Sequence, residues 1–358
     1  MRLPIYPDVA ARLPTLAGRW LEAVLPGPLP AEPHATCDDC AMAPPEGVEH
    51  QPGGAYFDPG YKCCTFVPTL PNYAAGGALA GPGAARVEAR LARRLGLFPL
   101  GLTETPREAL LAREGPSGFG HSRALVCPYL TEASGCAIWE QRNAICATWF
   151  CRHARGEVSE RLWRAVKLYL SAAERVVALH CALSLDLGDE ALALLAWPAP
   201  LATRGALDAH SLDDRADPAR ARARWGRWFG QEREFYAACA AESAGVDAAR
   251  LRQLGGVSLD LLGRALQIAW RGASDTALPP RLRLGALRVL SFEGAHATVE
   301  GYSPYDLLDL PRALLEVLPF FDGASVDEAR ARALTERRLK VSSSLVRKLL
   351  DFGILVAE

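Results

Sequence analysis

Long hydrophobic runs are missing from this chain. No stretch reaches 18 uncharged apolar residues, so no membrane-spanning helix is expected. The opening Met1–Asp8 has no apolar run of signal-peptide length, which points to a reducing cytoplasm where cysteines persist as thiols. A charge excess is also missing. The 40 basic and 41 acidic residues leave a formal net charge of -1, which gives no overall reason to expect nucleic acid or an acidic membrane surface as partner. Several catalytic signatures are absent: a phosphate-cradling glycine loop, Gly-x-Ser-x-Gly, His-Glu-x-x-His, and the Cys-x3-Cys-x2-Cys of radical-SAM enzymes. His121, His153 and His180 have no recognisable catalytic partner in sequence. Lysine is scarce and there are two methionines, in a composition rich in Ala, Arg, Leu and Gly that reflects coding bias as much as function.

What is present is sulfur, and it is clustered. Cys37 and Cys40 are followed by the adjacent Cys63-Cys64, then by Cys127, Cys136, Cys146 and Cys151; the rest of the chain holds only Cys181 and Cys239. Cysteine used as core filler would be spread out, and that is the better reading for Cys181 and Cys239 on their apolar helical segments. The other eight are read as metal ligands. Thiolate is the metal-binding form, and soft sulfur selects zinc, iron–sulfur clusters or copper(I). Cys37-x2-Cys40 can turn around one metal. Neighbouring side chains point apart, so Cys63-Cys64 suits two adjacent metals, or a cluster with a second ligand beside it, better than one tetrahedral ion. Cys146 and Cys151 can face the same way if a helix finishes between them. His34 and His153 are close enough to serve as auxiliary ligands. A redox dithiol at Cys37/Cys40 is the alternative.

The chain divides by pattern. Residues 8–25 carry a helical period with Pro14 as a kink, and 26–82 are rich in Pro and Gly with little periodicity. Helices are expected over 83–96, 105–114, 138–151, 158–187, 189–197, 217–242 and 246–271. In 213–233, arginines interleave with Trp225 and Trp228. A buried aromatic face with arginines on its wet side accounts for this more simply than nucleic acid. After the Pro279-Pro280 linker, strands over 284–289 and 296–302 joined at Glu293-Gly294 precede helices over 304–318, 327–338 and 342–351.

The order Cys-x2-Cys, Cys-Cys, then Cys127-Pro-Tyr-Leu, Gly135-Cys136-Ala-Ile-Trp139-x-x-Arg142-x-x-x-Cys146 and Cys151 resembles the YkgJ-type cysteine-cluster family of zinc- or iron-chelating domains. The resemblance spans about residues 35–155 and is most specific from Cys127 to Cys151. The FliB-type flagellin lysine methylase has a similar cysteine array, for which an iron–sulfur cluster is implied. The C-terminal region, through Leu318–Gly323, Val326–Ala329 and Leu345–Val356, more weakly resembles PqqD-like winged-helix domains, which bind peptides.

The expectation is a mainly α protein in three parts. Residues 1–155 form an irregular cysteine-rich metal-binding domain with an N-terminal helix, 156–275 a helical domain, and 281–358 a small α+β winged-helix-like domain. The cofactor expected at the eight cysteines is an iron–sulfur cluster, the 4Fe-4S type favoured, or else zinc. Eight thiolates exceed what one tetrahedral site needs. The function expected is that of a cytoplasmic metal-binding accessory or peptide-modification factor, with a protein or peptide partner at the C-terminal domain and neither nucleic acid nor membrane. An iron–sulfur-dependent modifying enzyme and a structural zinc protein are the alternatives.

Overall fold

The structure is a computed structural model that describes residues 13–32, 40–51, 54–114, 118–196 and 217–358. Cys37, His34 and the start of the expected first helix lie outside them. The described part is mainly α. Its first helices are α1 (Thr15–Glu22), α2 (Asn72–Leu79), α3 (Ala84–Arg93), α4 (Pro106–Glu114) and the short α5 (Ala144–Thr148). Pro14 stands at the N-cap of α1. Thr105 and Glu108 form a capping box for α4. The expected helix over 138–151 is broken. A 3-10 turn at Trp139–Gln141 comes first, and the Asn143 side chain then accepts from Cys146 N and starts α5 afresh.

The longest helix, α6 (Gly156–Ser184), buries Leu162, Val166, Leu170, Val177 and Cys181 along one face. After α7 (Asp189–Ala193) come α8 (Pro218–Trp225), α9 (Glu232–Ala244) and α10 (Ala248–Ser274). The single helix expected over 217–242 is divided because Gly226 and Gly230 take positive φ of 49° and 86°. Of the expected buried aromatic face, Trp225 and Phe235 are buried while Trp228 and Phe229 are half-buried, and Trp225 meets Phe235 and Tyr236 edge-on. Arg222 lies over Phe229 and Arg224 over Phe98, where each gains from the ring face.

Helix α6 packs along α10, and α2 packs along α9. A small sheet, β1 (Leu70–Pro71), β2 (Leu97–Phe98) and β3 (Gly101–Leu102), sits beside them. One apolar core runs from Leu13 to Ala273 and draws on both the cysteine-rich stretch and the helical stretch.

A second core belongs to residues 282–355. Here β4 (Leu282–Leu284) pairs with the C-terminal β8 (Leu355–Ala357). The hairpin β5 (Arg288–Glu293) and β6 (His296–Glu300) turns at Gly294, φ 57°, and β7 (Leu308–Pro311) pairs with β6. Helices α11 (Arg312–Val317), α12 (Val326–Arg337) and α13 (Ser343–Asp351) cover these strands. The expected helix over 304–318 therefore starts late. Its first part alternates buried Leu308 and Leu310 with exposed neighbours, a strand pattern. Among the described residues no helix is long and apolar enough to cross a membrane.

Candidate metal centre

Hydrogen bonds between loops bring the cysteine-bearing segments together. Ala43 N donates to Cys40 O, closing a turn, and Phe57 N donates to Met42 O. Lys62 takes a positive φ of 51°, and Cys64 N donates back to Tyr61 O. Cys127 N then donates to Cys64 O at 2.8 Å, which joins the two halves of the array. Ser134 Oγ donates to Gly60 O, and Gly120 N donates to Thr65 Oγ1. The turn at Ser134, φ 57°, folds Cys136 back beside Cys127 through the Leu130–Cys136 bridge. Helix α5 ends at Thr148, between Cys146 and Cys151.

The result is a cavity of about 310 Å3 bordered by Cys40, Cys63, Cys64, Cys127, Cys136, Cys146 and Cys151. These are all the candidate ligands among the described residues; Cys37 lies outside them. Cys181 and Cys239 are elsewhere, buried together in the helical core with Cys181 Sγ donating to Cys239 O. His153, the auxiliary candidate, does not border the cavity and is bonded through Nδ1 to the Tyr302 hydroxyl. His180 pairs with Glu242 at 3.3 Å, an ordinary satisfied histidine. The rest of the cavity wall is largely apolar and aromatic, with Phe119, Tyr129, Trp139 and Trp149, and with Lys62 and Arg142 as its cations. Arg142 stacks on the Trp139 ring at 3.4 Å.

The thiols do not converge on one point. Among the described residues no group of three His, Cys, Asp or Glu side chains is placed to hold a metal ion. A tetrahedral zinc with bonds of about 2.3 Å needs its sulfurs within roughly 4 Å of each other. A polynuclear cluster carries its ligands on separate metals and accepts a wider spread.

The electrostatics of the wall are uneven. Cys64 is held down at about 7, chiefly by a hydrogen bond from the Cys63 thiol, with help from Lys62 and Arg142 and against its burial. Burial pushes Cys127 up to about 12 and Cys146 well above its ordinary value. Burial therefore keeps Cys127 and Cys146 protonated, and a metal must displace their protons to bind.

Sequence reasoning missed Glu174. It lies in α6, and its carboxylate accepts from Ala144 N at the start of α5, anchoring the helix that carries Cys146. Burial raises it to about 8 from an ordinary 4.5, against the opposing effects of Ala144 and Arg175. A raised folded-state value gives stability that is full below 4.5 and lost as pH rises through about 8. Glu174→Gln keeps the acceptor and removes the ionisation. Relative to Glu174→Gln, which lacks this ionisation, wild type should lose up to about 5 kcal/mol between about pH 5 and pH 9. Denaturant midpoints measured across the same range check this, and parallel pH profiles for the two proteins would refute it.

No family model matches the chain, and neither curated proteins nor solved structures show a match.

Proposed function

We propose that the cysteine cavity is a thiolate metal centre that holds iron as an iron–sulfur cluster, in a protein acting on or with another protein or peptide. The observation that carries the reading is the meeting of seven cysteines from four separate loop and helix segments around one cavity. Cysteine used as core filler, like the buried pair Cys181 and Cys239, gives no reason for seven to border one cavity. The adjacent Cys63-Cys64, whose side chains point apart, favours a cluster over a single zinc. When bound, such a cluster supplies one-electron chemistry. The chain's part is to offer soft ligands, exclude water with Phe119, Trp139 and Trp149, and offset thiolate charge with Lys62 and Arg142. Free thiols fit a reducing, cytoplasmic setting.

The C-terminal unit is read as winged-helix-like, with the β5–β6 hairpin as its wing. In β5 every residue is exposed, including Val289, Leu290 and Phe292, and one edge of the strand is unpaired within its sheet. Such an edge can take an extended peptide as an added strand.

The test has two arms. Anaerobically purified protein should carry iron and acid-labile sulfide with broad visible absorbance, and Cys64→Ser and Cys146→Ser should each lose most of both. Colourless protein with stoichiometric zinc would overturn the cluster, and metal-free protein would overturn the centre. In the second arm, a co-encoded peptide should slow amide exchange along β5; protection elsewhere would reject that edge.

A further inference from the structure

Strand β5 is an outer strand of its sheet, and all of its residues, Arg288–Glu293, are exposed. Val289, Leu290 and Phe292 are 39, 43 and 56% exposed. None of them joins the core that buries Ala297 and Val299 of β6 and Leu308 and Leu310 of β7. Natural sheets shield such an edge with lysine, proline or a covering segment. β5 contains neither lysine nor proline. Among the described residues no backbone hydrogen bond covers its outer side.

The register of β5 on β6 sorts its side chains by face. Val289 lies opposite Val299 and Phe292 opposite Ala297, on the face of the buried β6 residues. Arg288, Ser291 and Glu293 lie opposite Glu300, Thr298 and His296, on the other face. A bulge between Val289 and Ser291 produces this sorting, because the extra residue Leu290 lets positions three apart share a face. In a regular strand Val289 and Phe292 would point to opposite faces.

The strand is thereby complementary to itself. A second β5, antiparallel about a two-fold axis at Leu290-Ser291, sets Val289 beside the partner's Phe292 on one face. It sets Arg288 beside the partner's Glu293 on the other. Each contact occurs twice, as a two-fold interface requires. Aromatic with β-branched, and opposite charges directly across, are pairs that stabilise neighbouring antiparallel strands. Glu293 has no ion-pair partner among the described residues, and Arg288, although paired with Glu300, is still 69% exposed.

We infer that the β5 edge binds a second copy of this chain, joining two 3-stranded sheets into one continuous sheet by antiparallel β5–β5 pairing. A contact confined to one strand is small, so the dimer is exchangeable rather than permanent. The inference shares the free edge with the peptide reading and owes nothing to the cysteines. A peptide strand and the second copy occupy the same edge, so each displaces the other.

Sedimentation of the full chain over a range of concentrations should show a monomer–dimer equilibrium, with amide exchange along β5 slowing as the dimer forms. Arg288→Glu and Glu293→Arg should each weaken association about 10-fold, since each sets like charges across from one another at both ends of the strand pair. An equimolar mixture of the two variants should dimerise again, because every reversed charge then meets an opposite one. Recovery on mixing also shows that neither variant is misfolded. A chain that stays monomeric, a dimer unaffected by both reversals, or a mixture that fails to recover would overturn the pairing. A monomer whose β5 is protected by the co-encoded peptide would reject this inference and keep the peptide reading. A dimer that the peptide does not displace, with β5 unprotected by it, would keep this inference and reject the peptide reading.

Discussion

Arg155→Ala should cost about 3 kcal/mol and loosen the C-terminal unit from the rest of the molecule, the low end of the range for breaking a buried ion pair. Arg155 stands just before α6, four residues after Cys151. Its Nε and Nη2 donate to the two Asp351 oxygens at 3.0 and 2.9 Å, Nη1 donates to Ala273 O, and Nη2 also reaches Asp275 O. One guanidinium thus ties the end of the cysteine array, the end of α10 and the last helix together. Asp351 is 9% exposed at its side chain, and removing Arg155 leaves that charge with Arg347 as its ion-pair partner. Arg347 holds the effect to the low end, because the carboxylate keeps one cation. Since residues 282–355 have their own core, the variant should show an early transition in which that unit lets go, read by proteolysis near the 275–281 linker. A single unfolding transition within about 0.5 kcal/mol of wild type, the size of an ordinary surface change, would contradict this role.

Gly76→Ala should destabilise by about 3 kcal/mol, at the upper end for overpacking, while Gly77→Ala, one residue on, should cost far less. Both glycines lie in α2, whose sequence Asn-Tyr-Ala-Ala-Gly-Gly-Ala-Leu has a run of five small residues. A Cβ on Gly76 would stand 1.8 Å from the Tyr236 carbonyl oxygen of α9, and helix backbone cannot step aside. A Cβ on Gly77 would meet the far end of the Gln141 side chain at 2.6 Å, which can rotate away. In both variants helix propensity favours alanine by about 1 kcal/mol, so the contrast isolates the packing term. Thermal unfolding of the two single variants decides it, and equal losses would refute the distinction. The comparison also bears on the candidate centre, because Gln141 belongs to the segment between Cys136 and Cys146. Gly77→Ala should disturb the cavity wall more than it disturbs global stability.

Much of this was readable in the chain where a local rule acts alone. The α6 period, the caps at Thr105 and Ser325, and the Gly294 hairpin each follow from a few adjacent residues. The errors fall where a neighbour in space overrides the local pattern. Asn143 restarts a helix that apolar spacing alone would continue, and β7 forms because β6 offers it a partner. Glu174 gave no sequence signal, since it is one polar residue without a motif and gains meaning only from what faces it.

The sequence by itself determined that this protein is mainly helical and that its sulfur is concentrated before residue 152. Those are properties of composition and period, which need no knowledge of distant contacts. Only the tertiary structure decided that cysteines from four segments border one cavity rather than several. That meeting depends on bonds such as Cys127 N to Cys64 O and Ser134 Oγ to Gly60 O. They join residues far apart in the chain, and no local spacing encodes them.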